Sequence, residues 1–250
     1  MKQNKIIQNQ NRFFIELDFI DIEQIEFPNN IVHQISNVLK KRPGDHVFLF
    51  NGNKKEYKVI LSEVTKTRVT GYVENVIDFD GELDINIHLY QSLVEFGRME
   101  LIIQKSTELG VKHIFPVLSE KCKIKTFSEN KKNRWQNIIT ESSEQSFRSE
   151  IMKLEPIIDF SSACKLSKGL ALFCNEYETD FHINKINHTY LIENNIKDIS
   201  IFIGPVSGYS DFEIRLANQS SLLSVSLGQR VLRTETAAIV AVSGIMSQLG

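Results

Sequence analysis

LLSVSLGQRVLRTETAAIVAVSGIMSQL, residues 222–249, is the stretch whose reading decides the fold. A short apolar run ends at Gly228, two arginines follow at Arg230 and Arg233, and a helical pattern begins at Thr234. Thr234 has the chemistry of an N-cap, and Glu235 suits the positive end of the helix dipole. The helix predicted from there is apolar on nearly all sides, so it must be buried, against other helices or a second subunit. Strand, glycine turn and buried helix in succession are the units of an α/β domain.

The same grammar extends upstream. ISIFIG (199–204) and GLALFCNE (169–176) are nearly unbroken apolar runs, as in a parallel sheet covered on both faces. Between the first of these and residue 222, Ser210 and Glu213 form a capping-box pair that opens a helix. Further back, DINIHLYQSL (84–93) alternates as a strand. GRMELIIQKSTELG (97–110) places Met99, Ile102, Ile103 and Ser106 on one helical face, with Gly110 where a C-terminal glycine belongs. VKHIFPV (111–117) is a strand. NRWQNIITESSEQSFR (133–148) is a helix whose stripe turns polar at Ser142, Gln145 and Ser146, either lining a cleft or fraying toward solvent.

Residues 12 to about 78 follow a different pattern. RFFIEL, GDHVFLFNGNKKEYKVIL and SEVTKTRVTGYVENVI are closely spaced β-like runs. Asn51-Gly52 signals a two-residue type I′ hairpin, and Ile31, Ile35, Val38 and Leu39 mark one short helix. Short strands around one helix predict a small barrel. The charged segment at Asp78–Glu82 is the predicted boundary, giving domains 1–80 and 81–250.

Composition excludes several classes. The chain has 250 residues, 42% hydrophobic and 24% charged, with formal net charge −2, which is ordinary for a folded globular protein. No stretch nears the roughly 20 apolar residues of a membrane span. The start, MKQNKIIQNQN, has no apolar signal core, so a cytoplasmic location is expected. Cys122, Cys164 and Cys174 are three, with no CxxC spacing, and read as reduced thiols. The six histidines show no metal-ligand spacing, and no metal is expected. Charge is uneven: residues 97–153 hold 11 basic and 7 acidic side chains. Such a block is either a solvated face or a phosphate-contacting surface.

Ligands of open α/β sheets bind beyond the carboxyl ends of the strands. Three strand ends qualify: Cys174-Asn175-Glu176, Gly204 to Tyr209, and Leu227 to Arg230. None is GxGxxG or a P-loop. Tight turns alone, or a pocket built from glycine-bearing loops, both account for them.

Several pieces together resemble one family. RFF at 12–14, H-x₄-VLK and GD at 33–45, GRMELIIQKSTELGVKHIFPV at 97–117, RW at 134–135, ESSEQSFR at 141–148, IGP at 203–205 and LGQRVLRTETA at 227–237 occur in family order. The chain resembles the bacterial 16S ribosomal RNA uridine N3-methyltransferases, the RsmE family of the SPOUT superfamily. The resemblance implies a PUA-like RNA-binding barrel followed by an α/β SPOUT domain with a parallel sheet and a trefoil knot, in a homodimer. Sequence rules alone would reject a knot. It implies S-adenosyl-L-methionine as methyl donor, held by Ile203, Gly204, Pro205, Gly208, Leu227, Gly228 and Leu232. Arg233 is the candidate for stabilising a uracil anion or anchoring phosphate. Glu235 either orients Arg233 or complements the helix dipole. Arg12, Arg98, Lys105, Lys121, Lys123 and Lys125 are candidate contacts to 16S ribosomal RNA in the small ribosomal subunit. Two departures stand out. Gly-Pro-Val-Ser-Gly-Tyr replaces the family's usual Gly-Pro-Glu-Gly-Gly-Phe, and Val94-Glu95 replaces its Pro-Lys. The first leaves open a noncatalytic RNA-binding or ribosome-assembly protein of this fold, and the sequence as a whole leaves open a SPOUT methyltransferase with another nucleotide target.

Overall fold

The computed structural model describes residues 11–17, 24–79 and 81–249. Most of the polar start at 1–11, and Asp80 of the boundary segment, lie outside the described residues. The chain divides into two compact units, 1–82 with 143–150, and 83–142 with 151–250. The return of 143–150 to the first unit is invisible to a reading of one contiguous segment per domain.

The first unit carries β1 (Arg12–Phe14), β2 (Ile25–Glu26), α1 (Asn29–His33), β3 (His46–Phe50), β4 (Lys55–Val64) and β5 (Val69–Asp78). Their order is β1-β3-β4-β5-β2, with β1 and β3 parallel and the other pairs antiparallel. Tyr57, Val59 and Leu61 alternate inward along β4 to meet Phe13, Ile35 and Leu49. The register of β4 on β5 shifts at Lys58/Val59 and at Leu61/Glu63, and such bulges bend a strand. At Gly71 a Cβ would lie 2.6 Å from the Ile60 carbonyl oxygen, so the bend requires glycine there. The result is a curled half-barrel of PUA type, with β1 and β2 at its two edges. The Asn51-Gly52 signal does mark the β3–β4 connection, but the loop spans four residues, 51–54, with Gly52 and Lys54 at positive φ. The predicted short helix is α-helical only through His33 and continues as a π turn over Gln34–Val38.

Arg12 lies inside this unit, 5% exposed. Its Nε donates to Glu56 Oε1 at 2.7 Å, its Nη1 to the Ser143 carbonyl at 2.9 Å, and its Nη2 to the Arg148 carbonyl. The guanidinium rests 3.5 Å from the centre of the Phe50 ring. Arg148 in turn pairs with Glu82 at 2.7 Å, and Glu82 accepts from the backbone N–H groups of Ser149 and Glu150. The expectation of an RNA contact at Arg12 is therefore corrected: its charge is spent holding 143–150. Of the polar end of the helical stripe, Ser142 is buried, Ser146 half-buried and Gln145 exposed, so the stripe turns toward solvent at its last turn.

The second unit contains β6 (Asn86–Ser92), α2 (Phe96–Glu108), β7 (Val111–Leu118), α3 (Glu129–Gln145, whose last turn falls in the first unit), β8 (Lys153–Leu154), β9 (Ile158–Asp159), α4 (Phe160–Leu166), β10 (Leu170–Cys174), α5 (His188–Glu193), β11 (Asp198–Ile203), α6 (Asp211–Gln219), β12 (Leu223–Val225) and α7 (Thr234–Met246). The sheet runs β12-β10-β11-β6-β7-β8 with β9 also on β7, and its pairings are parallel. Ile199, Ile201 and Ile203 face the core shared with α2 and α7. Phe202 faces the opposite side with Phe160, Phe173 and Tyr209. Across β7, β6 and β11 the rings of Phe115, Tyr90 and Phe202 stack at 4.5 Å spacings.

After β11 the chain forms α6, enters the sheet's far edge as β12, and then returns past β10 to begin α7 beside Gly204. This return crossing belongs to the SPOUT fold class. The capping box at α6 is present, with Glu213 N–H donating to Ser210 Oγ at 3.2 Å and Ser210 N–H to Glu213 Oε2 at 2.9 Å. At α7 the N-cap is Arg233, with no side-chain cap, and Thr234 is already helical. The helix is buried along Ala238, Ala241, Val242 and Ile245, while Val240 is 37% exposed.

Candidate functional site

Residues 204–209 and 226–234 approach one another at the carboxyl ends of β10, β11 and β12. They enclose a cavity of about 300 Å³, within the range of small-molecule sites. The wall includes Ile203, Gly204, Pro205, Gly208, Leu227, Gly228 and Leu232, so the structure brings those seven predicted residues together. Arg233 and Arg98 also line it.

The glycines are required locally. Gly208 sits at φ +68°, and its N–H donates to the Pro205 carbonyl at 3.0 Å to close a tight turn. A Cβ there would stand 2.6 Å from Glu176 Oε1. Ser207 is not among the positive-φ residues, so the serine at this point of the turn carries no left-handed backbone strain. Gly204 needs its missing side chain for a different reason: a Cβ would lie 3.0 Å from the Tyr209 ring. That ring packs against Phe173 with centroids 4.3 Å apart, and Val206 is 57% exposed at the rim.

Four hydrogen bonds brace the wall and its surroundings. Thr234 Oγ1 donates to the Gly204 carbonyl at 2.7 Å and accepts from Gln91 Nε2 at 3.1 Å. Lys121 Nζ donates to the Tyr209 carbonyl at 2.8 Å, so this lysine braces the loop from behind. Glu213 Oε1 accepts from the Glu120 N–H at 3.0 Å, which ties the α6 start to the loop after β7.

Of the two roles expected for Glu235, its place in the first turn of α7 suits the helix dipole, while its ion-pair partner is not Arg233. Glu235 lies 3.5 Å from Arg98, whose Nε also reaches Glu95 at 2.9 Å. Arg98 thus stands on the cavity wall between two carboxylates, while Arg233 is exposed. Lys105 is engaged by Glu108 one turn along its own helix at 2.8 Å, and Lys123 and Lys125 are exposed. Burial pushes the Cys174 thiol at the cavity wall up to about 12, which removes it as a nucleophile. Burial likewise raises the Tyr209 hydroxyl well above its ordinary range.

Sequence reasoning singled out the Cys174–Glu176 strand end but did not place Glu176 or Tyr177 among the site residues, and both line the cavity. The rule that ligands sit beyond carboxyl ends was the available signal. Gln91 had no signal, since a glutamine within a strand pattern does not announce a partner 143 residues away.

A parallel α/β sheet with a cavity between two glycine-bearing return loops in one unit, and a PUA-type half-barrel in the other, is the architecture of the SPOUT class of RNA methyltransferases. The family profile described as an RNA methyltransferase domain matches residues 81–246, and that described as an RNA methyltransferase PUA domain matches 27–72. Ribosomal RNA small subunit methyltransferase E of Bacillus subtilis is 28% identical, covering 95% of this chain and 96% of the relative. The solved structure of ribosomal RNA small subunit methyltransferase E from Neisseria gonorrhoeae, bound to S-adenosyl methionine, is 30% identical with TM-score 0.86, covering 96% and 98% of the two chains. A methyltransferase structure from Legionella pneumophila, in complex with the same cofactor, is 31% identical with TM-score 0.84, covering 96% and 98%. The chain belongs to the ribosomal RNA small subunit methyltransferase E family.

Proposed function

We propose that this protein methylates N3 of a uridine in 16S ribosomal RNA of the small ribosomal subunit, with S-adenosyl-L-methionine as donor. The observation that carries the reading is the cavity walled by 203–208 and 227–232. Its lining suits that donor: Ile203, Leu227, Leu232 and Ala237 offer apolar surface for an adenine, and glycine backbone offers polar groups at close range. Glu176 on the wall supplies negative charge compatible with a cationic sulfonium.

When bound, the donor supplies an electrophilic methyl group. The chain's own residues must then bring an unpaired uracil to it and stabilise N3 as its proton leaves. Arg233, exposed on the cavity wall, offers cationic hydrogen bonds to a developing uracil anion or to an adjacent phosphate. Arg98, steadied by Glu95 and Glu235, places a second guanidinium on the same wall. The assigned role of Glu235 is thus to position Arg98. Arg98, Lys105, Lys123 and Lys125 are the RNA contacts, together with the half-barrel. A homodimer joined in part through α7, and a cytoplasmic location, complete the reading.

Mapping methylated bases in 16S ribosomal RNA from cells with and without the protein tests this. One uridine that loses an N3 methyl group in the deletion strain and regains it with purified protein and donor is expected. An unchanged methylation map, or a change at another base or atom, overturns the assignment.

A further inference from the structure

We infer that Gln91 and Thr234 form a two-step hydrogen-bond relay that sets the cavity wall at Gly204, and that both are positioning residues for the donor. The inference rests on the reading of the cavity as the S-adenosyl-L-methionine site.

The peptide joining Gly204 to Pro205 has one hydrogen-bonding group, the Gly204 carbonyl, because proline has no N–H. Whatever holds that carbonyl holds the peptide plane. Thr234 holds it, at 2.7 Å. The Thr234 hydroxyl has one hydrogen, so having donated to Gly204 it must accept from its second neighbour, Gln91 Nε2 at 3.1 Å. Gln91 gives its other amide hydrogen to the Ser92 carbonyl at 2.9 Å. Both Nε2 hydrogens are committed, which fixes the direction of the whole chain of bonds.

Gln91 is 0% exposed and absent from the cavity wall, so it acts on the site only through Thr234. Its Oε1 has no partner among the described residues. A buried amide with half its capacity unused is costly unless the used half is needed. Thr234, at the first helical position of α7 rather than at its N-cap, spends its hydroxyl on the Gly204 carbonyl. From Gly204 the wall runs to the Pro205–Gly208 turn, closed by one backbone bond of 3.0 Å. The relay therefore anchors the start of that turn to the end of β6, the strand beside β11.

The test uses the full-length protein and three variants, Thr234→Val, Thr234→Ser and Gln91→Leu, with the double Thr234→Val/Gln91→Leu. Calorimetric titration with S-adenosyl-L-methionine reads donor affinity. Hydrogen exchange of the donor-free protein reads the Gly208 amide. Thr234→Val is expected to weaken donor binding about tenfold or more and to speed Gly208 exchange. Thr234→Ser, which keeps the hydroxyl, is expected to stay within about threefold of the parent on both readouts. Gln91→Leu should fall between, and the double variant should be no weaker than Thr234→Val alone, since one relay is broken once. Equal binding and exchange in Thr234→Val and the parent overturn the inference. So does a Thr234→Ser variant as impaired as Thr234→Val, which would assign the effect to packing of the methyl group. If Thr234→Val does not fold, Gln91→Leu and Thr234→Ser decide by the same two readouts. If the unaltered protein fails to bind the donor, the cavity reading fails, and Gly208 exchange still decides the relay.

Discussion

In the first unit a guanidinium is sealed among rings: Arg12 is 5% exposed, over Phe50 and against Glu56. In the second unit Arg233 stands exposed on a cavity wall, and the Arg98 side chain is 34% exposed between two carboxylates. The same side chain serves opposite ends. A guanidinium stripped of water has to be matched by acceptors from its own chain, and its donors then point at them instead of at a ligand. A guanidinium left in water at a cavity edge keeps donors for one.

The largest effect that would break this contrast is at Arg12. Arg12→Met should destabilise the fold by about 3–5 kcal/mol at neutral pH, because it leaves Glu56 buried without its cation. Chemical denaturation measures it. Desolvation already raises the Glu56 carboxyl above its ordinary value, with Arg12 opposing the rise. Without Arg12 the folded-state value goes higher still. The native variant then binds a proton that the unfolded chain does not, so its stability rises on acidification through that window and falls as pH increases. A pH-independent loss would contradict this. Replacing both partners, Arg12→Met with Glu56→Leu, should recover most of the stability.

Next in size is Arg233→Ala, expected to lower turnover about 100-fold while leaving the denaturation midpoint within about 0.5 kcal/mol of the parent. A midpoint that falls as it does for Arg12→Met would erase the distinction between the two arginines. Gly208→Ala should cost about 1 kcal/mol of donor affinity through its φ of +68° and the crowding of Glu176. Titration reads that directly. The smallest effect belongs to Lys123→Ala and Lys125→Ala, which should leave stability unchanged and flatten the salt dependence of ribosomal RNA binding by about one unit of slope each. An unaltered slope removes these lysines from the RNA surface.

The contrast also marks what the sequence could tell. Residues whose role is set by near neighbours were legible: the Ser210–Glu213 capping box, Gly110 at +87° after α2, and the inward stripe of Met99, Ile102 and Ile103. The cavity residues were legible because strand ends in parallel sheets sit together. Roles set by distant partners were not. Arg12 owes its burial to Ser143 and Arg148, more than 130 residues on. Thr234 has the chemistry of an N-cap and acts instead on a carbonyl 30 residues earlier. Glu235 pairs with Arg98, 137 residues earlier, rather than with its near neighbour. Local propensity carries no information on such pairs. The four-residue loop at 51–54 failed for a smaller reason, the register of β3 on β4, which two turn residues do not determine.

The column of Phe115, Tyr90 and Phe202 bears on how the cavity loop is set. Tyr90 sits directly opposite both phenylalanines in its two neighbouring strands, so a slip of either strand by one residue would turn a ring to the wrong side. Strands β7, β6 and β11, the last of which ends at the cavity, are pinned like pages by a staple. The Pro205–Gly208 turn therefore leaves β11 from a fixed register, with Val206 carried outward at the rim.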